Sequence, residues 1–360
     1  MRTEPAGPAA APTLSAIVPV YDGLHFLRRS LPPLVAHVGG DLLELIVVDD
    51  GSKDGSAAFA AELGARVVPS GGRLGPGAAR NRGAREARGD VLLFVDADVV
   101  AHADVVPKVR ARFAREAAAP EPGRAPLVAI FGSYDDAPPE RNFMSLYMNL
   151  RHHWTHQRAP GEASTWWAGC GAIRRDAFLR VGGFDAARYV RPAIEDIELG
   201  YRLRDAGGRI ELLPDVQGTH LKRWGARELI ETDVFRRAVP WARLLQARPR
   251  AEAELNVSPV ERARAALAGV LALTVVLAAA GAVPAAAPLA LLAAALLANA
   301  PLLAFFARRA GPLFALGAGL FHQLYYGYAT AAYLGVALEQ RFRPAAPGGA
   351  TPPVAGGDPP

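Results

Sequence analysis

The strongest constraint on the fold is a repeated alternation of short apolar runs and longer mixed runs between residues 14 and 131. The short runs are rich in Val, Ile and Leu, which is typical of buried strands, and the longer runs have the length of helices. Strands that alternate with helices predict an α/β domain whose mostly parallel sheet has helices on both faces. We predict strands at 14–20, 43–48, 66–68, 91–95 and 127–131, and helices at 24–38, 55–63, 77–88 and 104–116.

Two aspartates, Asp96 and Asp98, follow the strand at 91–95 with one residue between them. Alternate residues of an extended segment point the same way, so both carboxylates can face one point at the carboxyl end of the strand. Open α/β sheets bind ligands at this edge, and two hard oxygen donors suit a Mg²⁺ or Mn²⁺ ion that holds a diphosphate. For this pair alone, capping of the next helix or turn is an open alternative.

The two earliest strands also end in acidic residues. An Asp at such an end can accept hydrogen bonds from a ribose or a base edge, and a glycine lets the backbone approach a ligand. A single Asp-Gly-Ser turn would be uninformative, whereas three acidic strand ends in one sheet favour a nucleotide site. The residues are Pro19, Tyr21 and Asp22 after the first strand, and Asp49, Asp50, Gly51 and Ser52 after the second.

A glycine-bearing stretch at 75–83 opens the helix predicted before the 91–95 strand. It lacks the third glycine of a dinucleotide-binding fingerprint and does not follow the first strand. As a loop that enters a helix, it offers backbone N–H groups and Arg80 to a diphosphate. A solvated, arginine-rich helix face is the alternative.

Composition limits the classes of partner. The chain has 360 residues and a formal net charge of +5, carried mostly by Arg. This charge fits an anionic substrate or a membrane surface, and the basic runs interleaved with aromatic residues that indicate nucleic-acid binding are missing. The single cysteine, Cys170, excludes an internal disulfide and a Cys-based metal site, and we expect it to pack as a small apolar residue.

The C-terminal third is strongly apolar. Residues 265–307 carry no charge, and prolines divide them into 265–283 and 285–307, each close to the ~20 residues that span a bilayer. A third uncharged run, 312–338, follows. We therefore predict two to three transmembrane helices within 264–338, with an Ala-rich soluble bundle as the alternative.

The arginines that flank these runs predict how the helices are oriented in the membrane. Arg262 and Arg264 precede the first run, and Arg308 and Arg309 follow the second, so both ends belong on the cytoplasmic side. Residues 1–13 contain no apolar signal segment, so the region before the first span should stay in the cytoplasm. A third span would leave the tail on the far side.

Three further segments complete the expected organisation. Residues 228–246 mix Arg with Phe, Trp and Leu, which favours an interfacial helix, and we assign 227–263 to that helix and a linker. The Pro-rich ends, 1–13 and 339–360, are expected to be disordered.

More motifs lie between residues 167 and 224. They are Trp167, Gly169, Cys170 and Gly171, then Gly182-Gly183-Phe184-Asp185, Glu195-Asp196-Ile197-Glu198-Leu199, and His220 before Arg223-Trp224. With the strand-end residues they form an ordered set that resembles the successive motifs of family 2 glycosyltransferases with a GT-A fold. The resemblance covers about 14–224 and implies a GT-A domain at 14–226.

The resemblance implies an inverting, metal-dependent enzyme that uses a nucleotide-diphosphate sugar. It implies that Asp96 and Asp98 hold Mg²⁺ or Mn²⁺, and that Asp196, beside Glu195, is the general base. The strand-end residues, with Arg80, Asn81 and Asp96, would bind the donor. The acceptor or diphosphate side would comprise Trp167, Gly169, Cys170, Gly171, His220, Arg223 and Trp224.

Some of these residues also fit a purely structural role, and others depart from the family pattern. Acidic residues at 195–198 also suit a helix N-terminus, so the base assignment rests on the resemblance. The family often has Asn where Asp22 stands, and processive members have Gln where His220 stands, which favours transfer of a single sugar. Three histidines within 152–156 lack the carboxylate motif of a zinc site, so an acceptor-binding or a plain amphipathic helix is preferred.

We therefore predict a multi-pass enzyme of the cell membrane and envelope whose catalytic domain faces the cytoplasm. The acceptor would be a polyprenyl phosphate, a lipid-linked saccharide or a glycolipid. One alternative is a non-catalytic membrane scaffold that retains the fold. Another is a sugar nucleotidyltransferase, which would need a Gly-rich, Lys-bearing loop that residues 20–24 lack.

Overall fold

The computed structural model describes residues 11–248 and 258–342, which form two compact units. The first unit comprises 11–139 and 156–222, and the second comprises the other described residues. The predicted tails lie outside the described residues at 1–10 and 343–360, as does part of the predicted linker, 249–257.

The first unit is built on one mixed sheet. Its strand order is β3-β2-β1-β4-β8-β6-β9-β5, with β7 beside β9. Each strand predicted from the sequence is present, and the central ones are completely buried. The strands are β1 Leu14–Val20, β2 Glu44–Asp49, β3 Arg66–Pro69, β4 Val91–Val95, β5 Val99–Ala101, β6 Leu127–Tyr134, β7 Gly161–Ala163, β8 Cys170–Arg174 and β9 Arg209–His220.

The prediction of a mostly parallel sheet is wrong for the half of the sheet that runs from β8 to β5. β1 pairs in parallel with β2 and β4, and β2 with β3. However, β8 is antiparallel to both β4 and β6, and β5 and β7 are antiparallel to β9. β6 and β9 pair in parallel, so the strands that run in the opposite direction are β5, β7 and β8. β5 follows β4, and β8 follows β7, without an intervening helix, whereas parallel neighbours need crossover connections.

Helices cover this sheet close to where the periodicity predicts them. The first helix ends at Val35, before the expected residue 38, and contains Pro32 and Pro33, which remove two backbone donors. Its buried leucines belong to the same apolar core as the residues of β1 and β4. The helices are α1 Leu24–Val35, α2 Ser56–Glu62, α3 Pro76–Glu86, α4 Val105–Ala118, α6 Arg175–Arg180 and α7 Glu195–Asp205, with α5, Phe143–Gln157, belonging mainly to the second unit.

A buried ionic cluster joins α4 to β9 in the first unit. The guanidinium of Arg209, which is fully buried, contacts both oxygens of Glu116 at 2.8 Å and also pairs with Glu211. Arg112 Nε donates to Glu211 Oε2 at 2.7 Å, and Leu127 N donates to Glu116 Oε1 at 3.2 Å. Each buried charge therefore has a partner of opposite sign, as burial requires.

The second unit is helical. Its aromatic core includes Tyr147, Phe305, Phe306 and Phe321. The segment predicted to be interfacial is helical throughout its described part, although whether it meets a membrane stays a prediction. The helices after α5 are α8 Ala226–Glu231, a π-helical segment Thr232–Ala238, α9 Val239–Gln246, α10 Pro259–Ala279, α11 Ala286–Ala298, α12 Ala300–Ala310 and α13 Pro312–Phe342.

Among the described helices, α10 alone is long and apolar enough to cross a membrane. The pair α11 and α12 adds a second candidate only if the two count as one span, since they bend by 72° at their junction. At that bend Asn299 Nδ2 donates to Ala295 O at 2.9 Å, and Pro301 lacks a backbone donor in the first turn of α12.

Candidate active site

The carboxyl ends of β1, β2 and β4 meet at one edge of the sheet. Val20 is paired with Asp49, and Asp50 N donates to Val20 O at 2.8 Å. Pro19 is buried within β1, and Gly51 has a φ of 90°, which favours glycine. The predicted nucleotide edge is therefore formed from the strand ends that the sequence indicated.

Several predicted donor-binding residues also hold this edge together. Asp22 Oδ1 accepts from Lys53 N at 2.7 Å, and Ser52 Oγ accepts from Asp22 N at 3.0 Å. Asp49 Oδ1 accepts from Ser52 N at 3.0 Å. These contacts fix the end of β1 against the end of β2, while direct contact with a donor stays a prediction.

Asp50 organises the loop after β3. Its buried carboxylate accepts from Ser70 Oγ at 2.6 Å, Leu74 N at 3.0 Å and Gly75 N at 2.8 Å. The same loop carries Arg73, whose guanidinium carbon lies 4.3 Å from the centre of the Tyr21 ring. Asp50 therefore positions the loop that brings a cation to the first strand end.

Arg73 was missed by the sequence reasoning. It is an exposed arginine in the Ser-Gly-Gly-Arg loop that follows β3, and Tyr21 beside it is 39% exposed. A lone arginine in a glycine-rich loop after a strand is the signal that could have identified it. The pair offers an aromatic face and a positive charge at this edge of the sheet.

Arg80 is the central cation of the site. It is buried on α3, its Nη2 lies 2.5 Å from Asp96 Oδ1, and its Nη1 lies 3.4 Å from Glu195 Oε1. Burial would lower the pKa of Arg80, but the carboxylates of Asp96, Glu195 and Asp196 hold it above its usual value. The alternative of a solvated helix face is therefore wrong for this residue.

Asp98 lies on the turn between β4 and β5, opposite His220 at the end of β9. His220 Nε2 is 3.5 Å from Asp98 Oδ2, and its ring stacks on Tyr134 at 4.3 Å between centres. Burial would raise the pKa of Asp98, but the imidazole of His220 and the charge of Lys222 hold it below its usual value. Asp98 is therefore ionised at neutral pH.

Asp196 begins α7 beside Glu195. Its Oδ2 accepts from Ala168 N at 3.3 Å, and its Oδ1 from Ile197 N at 2.8 Å. Burial and the neighbouring Glu195 carboxylate raise the pKa of Asp196 to about 7. A carboxyl group with this pKa can gain and lose a proton near neutral pH, as a general base must.

The segment before α7 packs closely against the sheet. A Cβ at Gly169 would lie 2.2 Å from the Trp167 ring, and one at Gly171 would lie 2.3 Å from the Trp167 carbonyl oxygen. Cys170 is buried, and burial raises the pKa of its thiol to about 12, so it packs as the small apolar residue expected. Asn81 Nδ2 donates to Phe184 O, and Asn81 Oδ1 accepts from Phe184 N, at 2.8 Å each.

Two residues predicted for the acceptor or diphosphate side belong to the second unit. Arg223 Nη1 is 2.9 Å from Glu140, and Trp224 is buried with its N–H donating to Ser145 Oγ at 2.8 Å. Within the described chain, no group of three or more His, Cys, Asp or Glu side chains is placed to hold a metal by itself.

The mixed α/β sheet, with acidic strand ends and a buried arginine at its carboxyl edge, is a GT-A-like fold. Residues 15–181 match the family described as Glycosyl transferase family 2. The chain therefore carries a family 2 glycosyltransferase domain, which confirms the resemblance seen in its motifs.

Curated relatives agree with this assignment. The chain is 28% identical over 243 residues to a validoxylamine A glucosyltransferase of Streptomyces hygroscopicus, which covers 56% of this chain and 54% of that protein. It is 27% identical over 238 residues to a pre-mycofactocin glycosyltransferase of Mycobacterium tuberculosis, which covers 64% and 47%. The chain thus spans about half the length of these relatives.

A solved structure shares the fold over most of the chain. It is the mannosyltransferase PcManGT from Pyrobaculum calidifontis, in complex with GDP-Man and Mn²⁺. The TM-score is 0.55 at 20% identity, and the match covers 92% of this chain and 89% of that one. At this identity the likeness shows the fold alone.

Proposed function

We propose that this protein transfers one sugar from a nucleotide-diphosphate donor to a membrane-associated acceptor, with inversion. The acceptor class comprises polyprenyl phosphates, lipid-linked saccharides and glycolipids. The observation that carries the proposal is the buried Arg80, which bridges Asp96 at the end of β4 and Glu195 at the start of α7. This bridge ties the metal-binding strand end to the helix that bears Asp196.

Asp96 and Asp98 would hold Mg²⁺ or Mn²⁺. Magnesium in such sites takes one or two carboxylates and completes its shell with substrate phosphates, so the two aspartates suffice. The low pKa of Asp98 supports a charged oxygen ligand, and His220 lies close enough to orient it. When bound, the ion offsets the negative charge that develops on the departing diphosphate.

Asp196 would accept the proton of an attacking hydroxyl group. Its pKa of about 7 matches that task better than an ordinary aspartate would, since an efficient base titrates near the working pH. Attack opposite the leaving diphosphate inverts the anomeric carbon. Arg80 limits charge repulsion among the carboxylates and stays protonated.

The nucleotide would lie along the ends of β1 and β2. Tyr21 and Arg73 offer stacking and charge there, and Gly51 allows close approach of the backbone. The matched family favours this donor chemistry over the nucleotidyltransferase alternative.

The membrane part of the proposal rests on the second unit. The helix α10 exposes Val270, Leu273 and Val276, each more than half exposed, and arginines flank its start. The segment 226–246 presents Phe235, which is 64% exposed, next to the exposed Arg236. These features favour a membrane location with the catalytic domain facing the cytoplasm.

Metal removal tests the proposal directly. Purified protein in detergent is incubated with UDP-, GDP- and dTDP-sugars, with Mn²⁺ or with EDTA, and release of nucleoside diphosphate is measured. We expect turnover of one donor, its loss in EDTA, and its loss in Asp98→Ala. The surface variant Asp176→Ala, whose side chain is 69% exposed, should keep wild-type turnover.

Absence of turnover, together with absence of metal-dependent nucleotide binding, would remove the catalytic proposal. The non-catalytic membrane scaffold would then be preferred.

The pH dependence tests the base. Because the pKa of Asp196 is raised to about 7, the carboxylate is lost as the pH falls through 7. With a hydroxyl acceptor, kcat/KM should therefore rise to a plateau above pH 7 and fall about tenfold per pH unit well below it. A profile that stays flat between pH 5 and pH 8 would contradict the role of Asp196.

A further inference from the structure

The longest helix of the second unit, α13, has an exposed apolar face along its whole length. At 100° per residue, all of its exposed large apolar residues except Tyr333 fall within an arc of about 80°. The stripe extends for about 44 Å at 1.5 Å per residue, which exceeds the thickness of a hydrocarbon core. The leucine stripe consists of Leu313, Leu316, Leu320, Leu324, Leu334, Leu338 and Phe342, which are 45–86% exposed.

The sides of α13 outside this stripe contact charged groups. These groups lie on the segment 226–246 and on the first turn of α10, which is where the apolar part of the unit begins. Charged side chains are costly inside a bilayer, so these contacts mark its boundary. The contacts are Tyr328 Oη to Asp233 Oδ2 at 2.8 Å, Tyr326 Oη to Glu261 Oε2 at 2.5 Å and Arg243 Nη2 to Glu339 Oε2 at 3.0 Å.

The hairpin of α10 and α11 opens at the same boundary. Arg264 Nε, near the start of α10, donates to Ala298 O, at the end of α11, at 3.0 Å. Tyr326 Oη also lies 3.3 Å from Asn299 Oδ1. Both open ends of the hairpin and the middle of α13 therefore lie together, and the Arg243–Glu339 pair ties the end of α13 to α9.

We infer that α13 is an interfacial helix that lies along the membrane surface, with its leucine stripe against the acyl chains and both ends on the side where α10 begins. Only the α10–α11 hairpin enters the bilayer. This inference rests on the membrane association proposed above, and it replaces the third span expected from the sequence.

Cysteine labelling of the full chain in intact and opened cells tests it. The wild type is the blank, since its single Cys170 is buried. With a membrane-impermeant maleimide, Val260→Cys at the start of α10 and Gln340→Cys near the end of α13 should both react only after the cells are opened. Leu324→Cys, in the stripe, should stay unlabelled in opened cells because acyl chains cover it.

The outcomes separate the inference from the proposed function. Labelling of Gln340→Cys in intact cells, while Val260→Cys needs opening, would show that α13 crosses and would overturn the inference alone. Labelling of Leu324→Cys as fast as Gln340→Cys in opened cells would place the stripe in water and also overturn it. Recovery of the protein in the soluble fraction would overturn the membrane association, and the inference with it, but not sugar transfer.

Discussion

Asp196→Asn is expected to lower kcat with a hydroxyl acceptor by about 10²–10⁴-fold while leaving donor binding close to wild type. The amide keeps the size of the side chain and can still accept from Ala168 N, but it cannot take up a proton. Burial already raises the pKa of Asp196 to about 7, so a neutral group at this position should not destabilise the fold. Initial rates and calorimetric donor binding give the two quantities.

The matched control is Asp205→Asn, at the exposed end of the same helix. It makes the same chemical change away from the strand ends and should keep wild-type kcat. A wild-type kcat in Asp196→Asn would assign proton transfer to another group.

Arg209→Met is expected to destabilise the first unit by about 3–5 kcal/mol, the cost of leaving buried carboxylates without their partner. The side chain is fully buried, and it contacts both Glu116 and Glu211. For a unit of this size, such a loss lowers the Tm by roughly 6–20 °C. Thermal unfolding of the detergent-solubilised chain, followed by circular dichroism, measures the shift.

Arg204→Met provides the comparison. Its ion pair with Glu162 is partly exposed, at 28% and 41% of the two side chains, so its loss should cost no more than about 1 kcal/mol. In the Arg209→Met background, Glu116→Gln should cost less than it does alone, because the unpaired charge is removed. Equal Tm values for Arg209→Met and Arg204→Met would contradict the importance of the buried cluster.

Local pattern was sufficient for the elements of the first unit up to β6, except for the three-residue β5, which it missed. The predicted and observed bounds differ by three residues at most, because a buried strand must be apolar and a covering helix must be amphipathic. The same pattern could not predict the antiparallel strands of the sheet, β5, β7 and β8. Strand direction there depends on pairing between β8 and its neighbours, and short apolar runs carry no sign of direction.

The residues of the candidate site likewise divide into those that the sequence indicated and those whose contacts depend on folding. The sequence indicated Asp96, Asp98 and Asp196 through their motifs, but it left Arg80 equally open to a solvated helix face. Arg80 and Glu195 are 115 residues apart, so only folding brings them together. The loop held by Asp50, and the contact of Arg73 with Tyr21, depend on similar long-range packing.

By itself, the sequence determined the family of the domain at 15–181, the positions of the acidic strand ends and the apolar character of the C-terminal third. These properties are local, because they follow from residue type and spacing. The tertiary structure alone decided the burial of Arg80, the raised pKa of Asp196 and the bend between α11 and α12. It also decided which face of α13 is covered, since burial and electrostatic environment arise from residues distant in the chain.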